Sequence, residues 1–490
     1  MQLAPVAGLI MNIVEPILFQ AKFRPEAPAL CAQGIDVVSY ARLAAQMNNV
    51  ARRALGYGLT RGSVVALSVE DPMLHAALIL GLTQAGIVPV SVAAQKPPAG
   101  LKLDAVLSST AYPFAPEAKH FIIDHWWITG DGRPGEIAAD GGQICRIILT
   151  AGSTGDSKAV ALTHKMVAQR NARLDHVVGD RIPLCSRLYM QMGLAAALGY
   201  QFLTYMLARG GTLFFRGDNI ENTLRSFEIF QIQTMLATPT TLAQFLVGCD
   251  HHPAVDVHLD TIVSGGSLLP QALLERVRPR LCTHLVTGYG STETAISATA
   301  PAQRIAHIEG AAGYVTPGIR IEIVDAADRP LPAGTEGIVR IASEFGVDRY
   351  IDDPAESAQM FRDGWFYPGD LGSLAADNLL IISGRLNSVL NAGGGKMAAE
   401  RVETVLTSYK GVSQAAVFMA TSQAGVEEVW AALVCSAKID VARLQAHCRP
   451  HMPAIFVPAH VVVLDALPIN AMGKIDRPRL KETVLSSARS

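Results

Sequence analysis

Short runs rich in β-branched residues alternate with helix-length apolar stretches through most of this 490-residue chain. Ser63–Glu70 reads as a strand, 72–86 as a helix and 87–92 as a second strand. Further along, 212–215, 224–231, 233–237, 261–266 and 283–290 repeat that rhythm as strand, helix and three more strands. Such alternation predicts βαβ units and mostly parallel sheets, because parallel neighbours require a crossover between them. Near Gly318 the texture changes to short strands joined by Asp/Pro/Gly turns, a more antiparallel β-rich subregion over about 318–384. Beyond Arg385 a separate set of amphipathic helices and short strands reads as a small α+β domain.

The chain is too long for one ordinary core, so the expected class is α/β with two parts. Residues 1–384 form a large, multi-subdomain unit with mostly parallel sheets, 385–388 join the parts, and 389–490 form the small domain. Charged residues make up 17% of the chain against a usual share of about 25%, which suits large buried sheets rather than disorder. The formal charge of -2 implies no strongly basic face, which argues against nucleic acid and anionic membrane as partners. Seven scattered cysteines without a CxxC pair suggest reduced thiols and a cytoplasmic protein. The N-terminal segment lacks a basic region and contains Glu15 and Pro16, features of a poor secretory signal. Two apolar stretches, 75–94 and 192–215, approach the length of a membrane span, about 20 residues. Thr83-Gln84 and Gly86 interrupt the first, and Gln201, Arg209 and Gly210-Gly211 the second, so both are read as helix-then-strand units and no membrane span is expected.

Five segments could carry chemistry, and each has a plainer alternative. After the strand-like Ile147–Thr150, the run Ala151-Gly-Ser-Thr-Gly-Asp-Ser-Lys158 could wrap phosphate oxygens or be a flexible surface turn. It is not a Walker A loop, which needs GxxxxGK followed by Ser or Thr. Gly288-Tyr-Gly-Ser-Thr-Glu-Thr294 could hold Mg²⁺ beside phosphate through Glu293, with Tyr289 stacking on a base. Alternatively it is a polar strand-to-helix turn in which Glu293 helps a helix N-terminus. Asp370, in Gly364-Trp-Phe-Tyr-Pro-Gly-Asp370, could accept bonds from both ribose hydroxyls or belong to an ordinary turn. Ser383-Gly-Arg-Leu-Asn-Ser388 and the glycine run Gly393–Gly395 could admit a narrow ligand or act as a linker. Lys474, on a glycine turn, could be a solvated surface charge.

In this order, over essentially the whole chain, the segments resemble the adenylate-forming superfamily of acyl-CoA synthetases, peptide-synthetase adenylation domains and beetle luciferases. The family's phosphate loop, Thr-Ser-Gly-Ser/Thr-Thr-Gly-x-Pro-Lys-Gly, is similar to Thr150–Ala159, with Ala151, Ser157 and Ala159 as departures. Its Tyr-Gly-x-Thr-Glu motif matches Tyr289–Glu293, and its Trp-x-x-Thr-Gly-Asp matches Trp365–Asp370 with Pro368 replacing threonine. Its Gly-Arg-x-Asp hinge matches Gly384–Asn387 with asparagine last, and its terminal Gly-Lys matches Gly473-Lys474. Where the family often has Pro-x-Glu-Ile/Val-Glu, this chain reads Ala399-Glu400-Arg401-Val402-Glu403.

The resemblance implies ATP, Mg²⁺ and CoA as cofactors. Thr150, Gly152, Ser153, Thr154, Gly155 and Lys158 would cradle the β- and γ-phosphates. Tyr289, Gly290 and Ser291 with the Gly265-Gly266-Ser267 turn would flank the adenine, and Asp370, assisted by Arg385, would bind the ribose. Thr292 would touch the α-phosphate, Glu293 would hold Mg²⁺, and Lys474 would serve adenylation. Gly393 and Gly394 would admit the thiol after a mobile small domain rotates. The partners implied are a small carboxylic acid and CoA, with a carrier-protein phosphopantetheine as the alternative thiol. A nucleotide-binding relative with weak catalysis is a reading from another class. Against it, Lys158, Glu293, Asp370, Arg385 and Lys474 are all present. The apolar, small-residue run Tyr189–Gly199 suits an uncharged acyl or aryl chain, and equally a buried helix. No carboxylate lies between Leu188 and Gly211 to pair with an α-amine, which disfavours amino acids.

Overall fold

The computed structural model describes residues 12–32, 36–92, 96–98, 100–135, 137–138, 140–151, 157–178, 181–216, 219–253, 255–386, 389–392, 395–421, 427–470 and 474–487. A six-stranded sheet has the spatial order Lys119–Ile122, Ala105–Ser108, Val64–Ser68, Val88–Ser91, Ile144–Ala151, Ser157–Thr163. Its first five strands are parallel and the last pair is an antiparallel hairpin, with Thr150 opposite Lys158. The crossover helix Pro72–Gln84 explains the membrane-like apolar run. It is buried from Leu74 to Gln84 apart from His75, because sheet and helices cover it on every side. Asp71 caps it by accepting from the Met73 and Leu74 amides, and Pro72 supplies a preset first turn. No helix among the described residues is long and apolar enough to cross a membrane.

A fifteen-stranded sheet carries the parallel strands Pro28–Ala32, Thr212–Phe214, Arg187–Met190, Thr234–Ala237, Leu259–Gly265 and Cys282–Ser291, side by side. It then continues antiparallel through Ala295–Pro301, Ala311–Val315, Leu379–Arg385, Asp370–Leu374 and Gly337–Ser343. The antiparallel part thus begins before Gly318 and grows from the last parallel strand without a break. One change to the sequence reading follows. Thr292-Glu293 lies in the turn of an antiparallel hairpin, followed by strand Ala295–Pro301, so the strand-to-helix alternative for that segment is withdrawn.

The smaller unit holds the two-stranded sheet Val389–Ala392/Gly395–Ala398 and a three-stranded sheet of Val412–Thr421, Glu427–Cys435 and His460–Val463. Helix Ala399–Ser408 buries Val402 and Leu406 in a core with Val417, Leu433 and Phe456. All seven cysteines are free thiols.

Candidate functional site

Three neighbouring parallel strands end together, as ligand-binding edges of such sheets do. Strand Thr234–Ala237 leads into Thr238, whose hydroxyl caps helix Pro239–His251 in a reciprocal pair with Thr241. Strand Leu259–Gly265 leads into Gly266, which takes φ +91, a backbone shape that favours glycine. Strand Cys282–Ser291 sets Gly288 opposite Gly265, which brings Tyr289, Gly290 and Ser291 beside the glycine turn. A β-carbon at Gly290 would stand 2.1 Å from the Ala295 carbonyl oxygen, so this hairpin closes only on glycine.

Lys474 reaches this edge from the small domain. Its Cε lies 3.5 Å from where a β-carbon on Gly266 would stand, as does Thr238 Cγ2. Its backbone is fixed by reciprocal bonds with Asn470 of 2.8 and 3.1 Å. Lys474 is exposed as a residue, yet desolvation is the first cause holding its pKa below the ordinary lysine value. The far end of the side chain is the part set against the large domain, through Cε beside Gly266. Arg385 lowers the pKa further, while Glu293 and Asp370 pull it up, which places all three charges within electrostatic reach.

Asp370 is buried, and its two oxygens are engaged separately. Tyr289 donates its hydroxyl to Oδ2 at 2.6 Å, and Arg385 Nε lies 3.0 Å from Oδ1. The antiparallel pairing of Asp370 with Arg385 sets that contact through the backbone. Burial, then the Asp370 charge, raises the Tyr289 pKa well above normal, so this hydroxyl remains a proton donor.

Glu293 is also buried and accepts from the Tyr350 hydroxyl at 2.8 Å through Oε1. Lys158 is buried, pairs with the Glu356 carboxylate, and stands 5.0 Å from the Tyr350 ring centroid. Tyr350 therefore joins the hairpin of strands Ile144–Ala151 and Ser157–Thr163, through Lys158, to the Glu293 turn. Arg170, on helix His164–Val178, holds that turn from behind. It donates to the carbonyls of Thr292 at 3.0 Å, Glu293 at 3.4 Å and Phe345 at 2.9 Å. Burial lowers its pKa to about 10, partly offset by Glu293.

The structure thus gathers Gly265, Gly266, Tyr289, Gly290, Ser291, Thr292, Glu293, Asp370, Arg385, Lys474 and, through Tyr350, Lys158. Ser267 follows on the exposed side of the glycine turn. Thr150, last but one in its strand, has a buried hydroxyl with no hydrogen-bond partner among the described residues. Gly152, Ser153, Thr154, Gly155, Asn387, Gly393 and Gly394 lie outside the described residues. Sequence reasoning missed Tyr350, Glu356 and Arg170, which stand apart from any glycine-marked motif.

The sequence pattern described as "AMP-binding enzyme" matches residues 19–351, and that described as "AMP-binding enzyme C-terminal domain" matches 401–474. The 4-chlorobenzoate–CoA ligase of an Arthrobacter species is 24% identical over 96% of this chain and 94% of its own. A fatty acid–acyl-carrier-protein ligase, ScoC of Streptomyces coeruleorubidus, is 26% identical over 96% of each chain. Among solved structures, the O-succinylbenzoate coenzyme A synthetase of Bacillus subtilis, in complex with ATP and magnesium ion, superposes with a TM-score of 0.78. It is 22% identical and covers 95% of this chain and 99% of that one, a likeness of fold.

Proposed function

The chain belongs to the AMP-binding enzyme family, and from that premise we propose that it activates a carboxylic acid with ATP and passes the acyl group to the thiol of CoA. The observation that carries this reading is the approach of Lys474, from the small domain, to Gly266 at the edge of the large sheet, within electrostatic reach of Glu293, Asp370 and Arg385. A cation delivered by one domain to a carboxylate-lined edge of another suits a reaction in which negative charge moves onto a leaving group.

The residues present fit the groups the reaction needs. Thr150 keeps a buried hydroxyl without a hydrogen-bond partner among the described residues, at the entry to the proposed phosphate loop. Glu293 offers the one hard carboxylate that Mg²⁺ commonly takes from a protein, and no cluster of three or more such ligands exists among the described residues. Mg²⁺, when bound, would offset charge on the phosphate oxygens. Glu293 would hold it, oriented by Tyr350. Lys158 would exchange Glu356 for phosphate oxygens. Asp370 would receive the ribose hydroxyls on lone pairs left by Tyr289 and Arg385.

A carboxylate oxygen of the acid attacks the α-phosphorus, the bond to the bridging oxygen breaks, and pyrophosphate leaves with the electron pair. Lys474 stabilises the charge that grows there. The CoA thiol, losing its proton, then attacks the acyl carbon, and AMP departs. For that second step we propose that residues 385–388 act as a hinge between 1–384 and 389–490. Gly393 and Gly394 would line the thiol's approach. The similarity to ScoC favours a second reading, in which a carrier-protein phosphopantetheine supplies the thiol. The free cysteines support a cytoplasmic setting.

Pyrophosphate release across fatty, aryl and amino acids, with and without CoA, tests the proposal. Release with one acid class, and AMP plus thioester only with CoA, is the expected result. Release without thioester would transfer the second step to a carrier protein, and no release from any acid would sink the activity.

A further inference from the structure

Strand Ile144–Ala151 carries an arginine directly into the core. Arg146 has 0% of its surface exposed and heads the large fully buried side chains. Its Nη2 donates to Ser91 Oγ at 2.6 Å and to the Leu194 carbonyl at 3.2 Å. Nε and Nη1 are equally buried and have no hydrogen-bond acceptor among the described residues. No carboxylate among the described residues pairs with it. The titratable groups nearest it, Tyr200 and Cys145, are themselves kept neutral by burial, and burial lowers the Arg146 pKa to about 10. The guanidinium stands 5.3 Å from the Tyr200 ring centroid. His75, 2.7 Å from Ser91 Oγ, is kept neutral by burial and by Arg146, so it supplies no negative charge. A buried cation with two unsatisfied donor nitrogens is costly, and costs of this kind concentrate at functional sites.

The placement indicates which site. Leu194 lies in segment 191–196, between strand Arg187–Met190 and helix Ala197–Ala208. The same segment faces Lys474, because Met192 Cε lies 4.0 Å from the β-carbon position at Gly266, beside Lys474 Cε at 3.5 Å. Leu198 Cδ2 lies 3.0 Å from that position at Gly265. Leu194, which accepts from Arg146, is only two residues from Met192, a separation of at most roughly 7 Å, so one short segment links the arginine to the glycine turn. Arg146 precedes Thr150 by four residues on one strand, roughly 13 Å, which puts it far behind the phosphate loop. Ile148, Met192, Leu194, Ala196 and Tyr200 belong to one hydrophobic cluster, and Tyr200 also stands beside the guanidinium.

We propose that Arg146 receives an anionic oxygen group, a carboxylate foremost, at the far end of the acid that is activated. This inference rests on the acid-activating reading above. It replaces a wholly uncharged acyl chain with one that is apolar along its length and charged at its tip. Access to Nε and Nη1 requires segment 191–196 to yield as the acid enters. Arg146 acts in specificity, not in the chemistry.

Matched acids of equal length test it: octanoate against octanedioate, and 3-(4-methylphenyl)propanoate against 4-(2-carboxyethyl)benzoate, in wild type and Arg146→Met. Wild type is expected to favour the doubly charged acid by on the order of a hundredfold or more in kcat/KM. In Arg146→Met that preference inverts, carried by KM, while the unfolding temperature holds or rises because an unpaired buried charge is gone. A wild type that prefers the methyl-ended acids would overturn the inference. So would an Arg146→Met protein that fails to fold, or melts earlier and slows both acids equally, since the arginine would then serve the fold. Failure of every acid to release pyrophosphate would count instead against the activity itself.

Discussion

Lys474 is the residue on which the proposed chemistry turns. Its ammonium serves only while charged, and desolvation with Arg385 brings its pKa below that of a free lysine. Adenylation should therefore fall on the alkaline side at a lower pH than ordinary lysine titration would give. Lys474→Arg, which stays charged, should remove that limb from the kcat profile. Lys474→Ala should slow pyrophosphate release by two to three orders of magnitude, about 2.7–4 kcal/mol of transition-state stabilisation. Thioester formation from supplied acyl-adenylate should be spared, and loss of both steps together would argue for a structural role. Tyr350 makes a subtler contribution, donating to the carboxylate assigned to Mg²⁺. Tyr350→Phe should raise the Mg²⁺ needed for half-maximal pyrophosphate release about tenfold, since a hydrogen bond to a charged group contributes about 1.5–3 kcal/mol. An unchanged Mg²⁺ titration would detach Tyr350 from the site.

At the scale of elements, hairpins and strand ends do the positioning, and one helix braces them. Helix His164–Val178 uses Arg170 to tie the Thr292–Glu293 turn to Phe345, three carbonyls converging on one guanidinium. Arg170→Met should cost on the order of 3 kcal/mol in urea unfolding, about 1 per bond lost, and raise the KM for ATP as the turn loosens. Stability and KM both unchanged would refute the brace. These elements were partly legible beforehand. The strands ending at Gly265 and Ser291 announced themselves through apolar runs closed by glycine, and Gly290 is required by a 2.1 Å approach that its motif encodes locally. Arg170, Tyr350 and Glu356 could not be read that way. Each becomes relevant only because segment 345–357 folds back on the Ser157–Thr163 strand, where the Ile351 amide donates to the Ala159 carbonyl at 2.9 Å. The antiparallel hairpin after Glu293 was missed for a related reason. A polar turn does not state whether strand or helix follows, and the pairing Ser291–Ala295 is decided by the sheet it joins.

In the whole molecule, two units of unlike construction meet at one edge. The small domain touches the large one where Gln414 Nε2 donates to the Thr240 carbonyl at 3.2 Å, at the helix that Thr238 caps. The same docking sets Lys474 over Gly266, so the arrangement is one suited to adenylation. The division into α/β and α+β parts was visible in the change of texture along the chain. The approach of Lys474 to Gly266, across more than two hundred residues, was available only through family resemblance. Arg146 had no sequence signal, because a single arginine in an apolar strand becomes unusual only once its surroundings are known to lack a carboxylate.

The central claim is that the acid's own oxygen attacks the α-phosphorus of ATP. Carboxylate labelled with ¹⁸O, incubated with ATP, Mg²⁺, CoA and the full-length protein, tests it by mass spectrometry of the products. One labelled oxygen in AMP, with the other retained in the thioester, is the predicted result. Label in inorganic phosphate together with ADP would reveal an acyl-phosphate route and contradict the account.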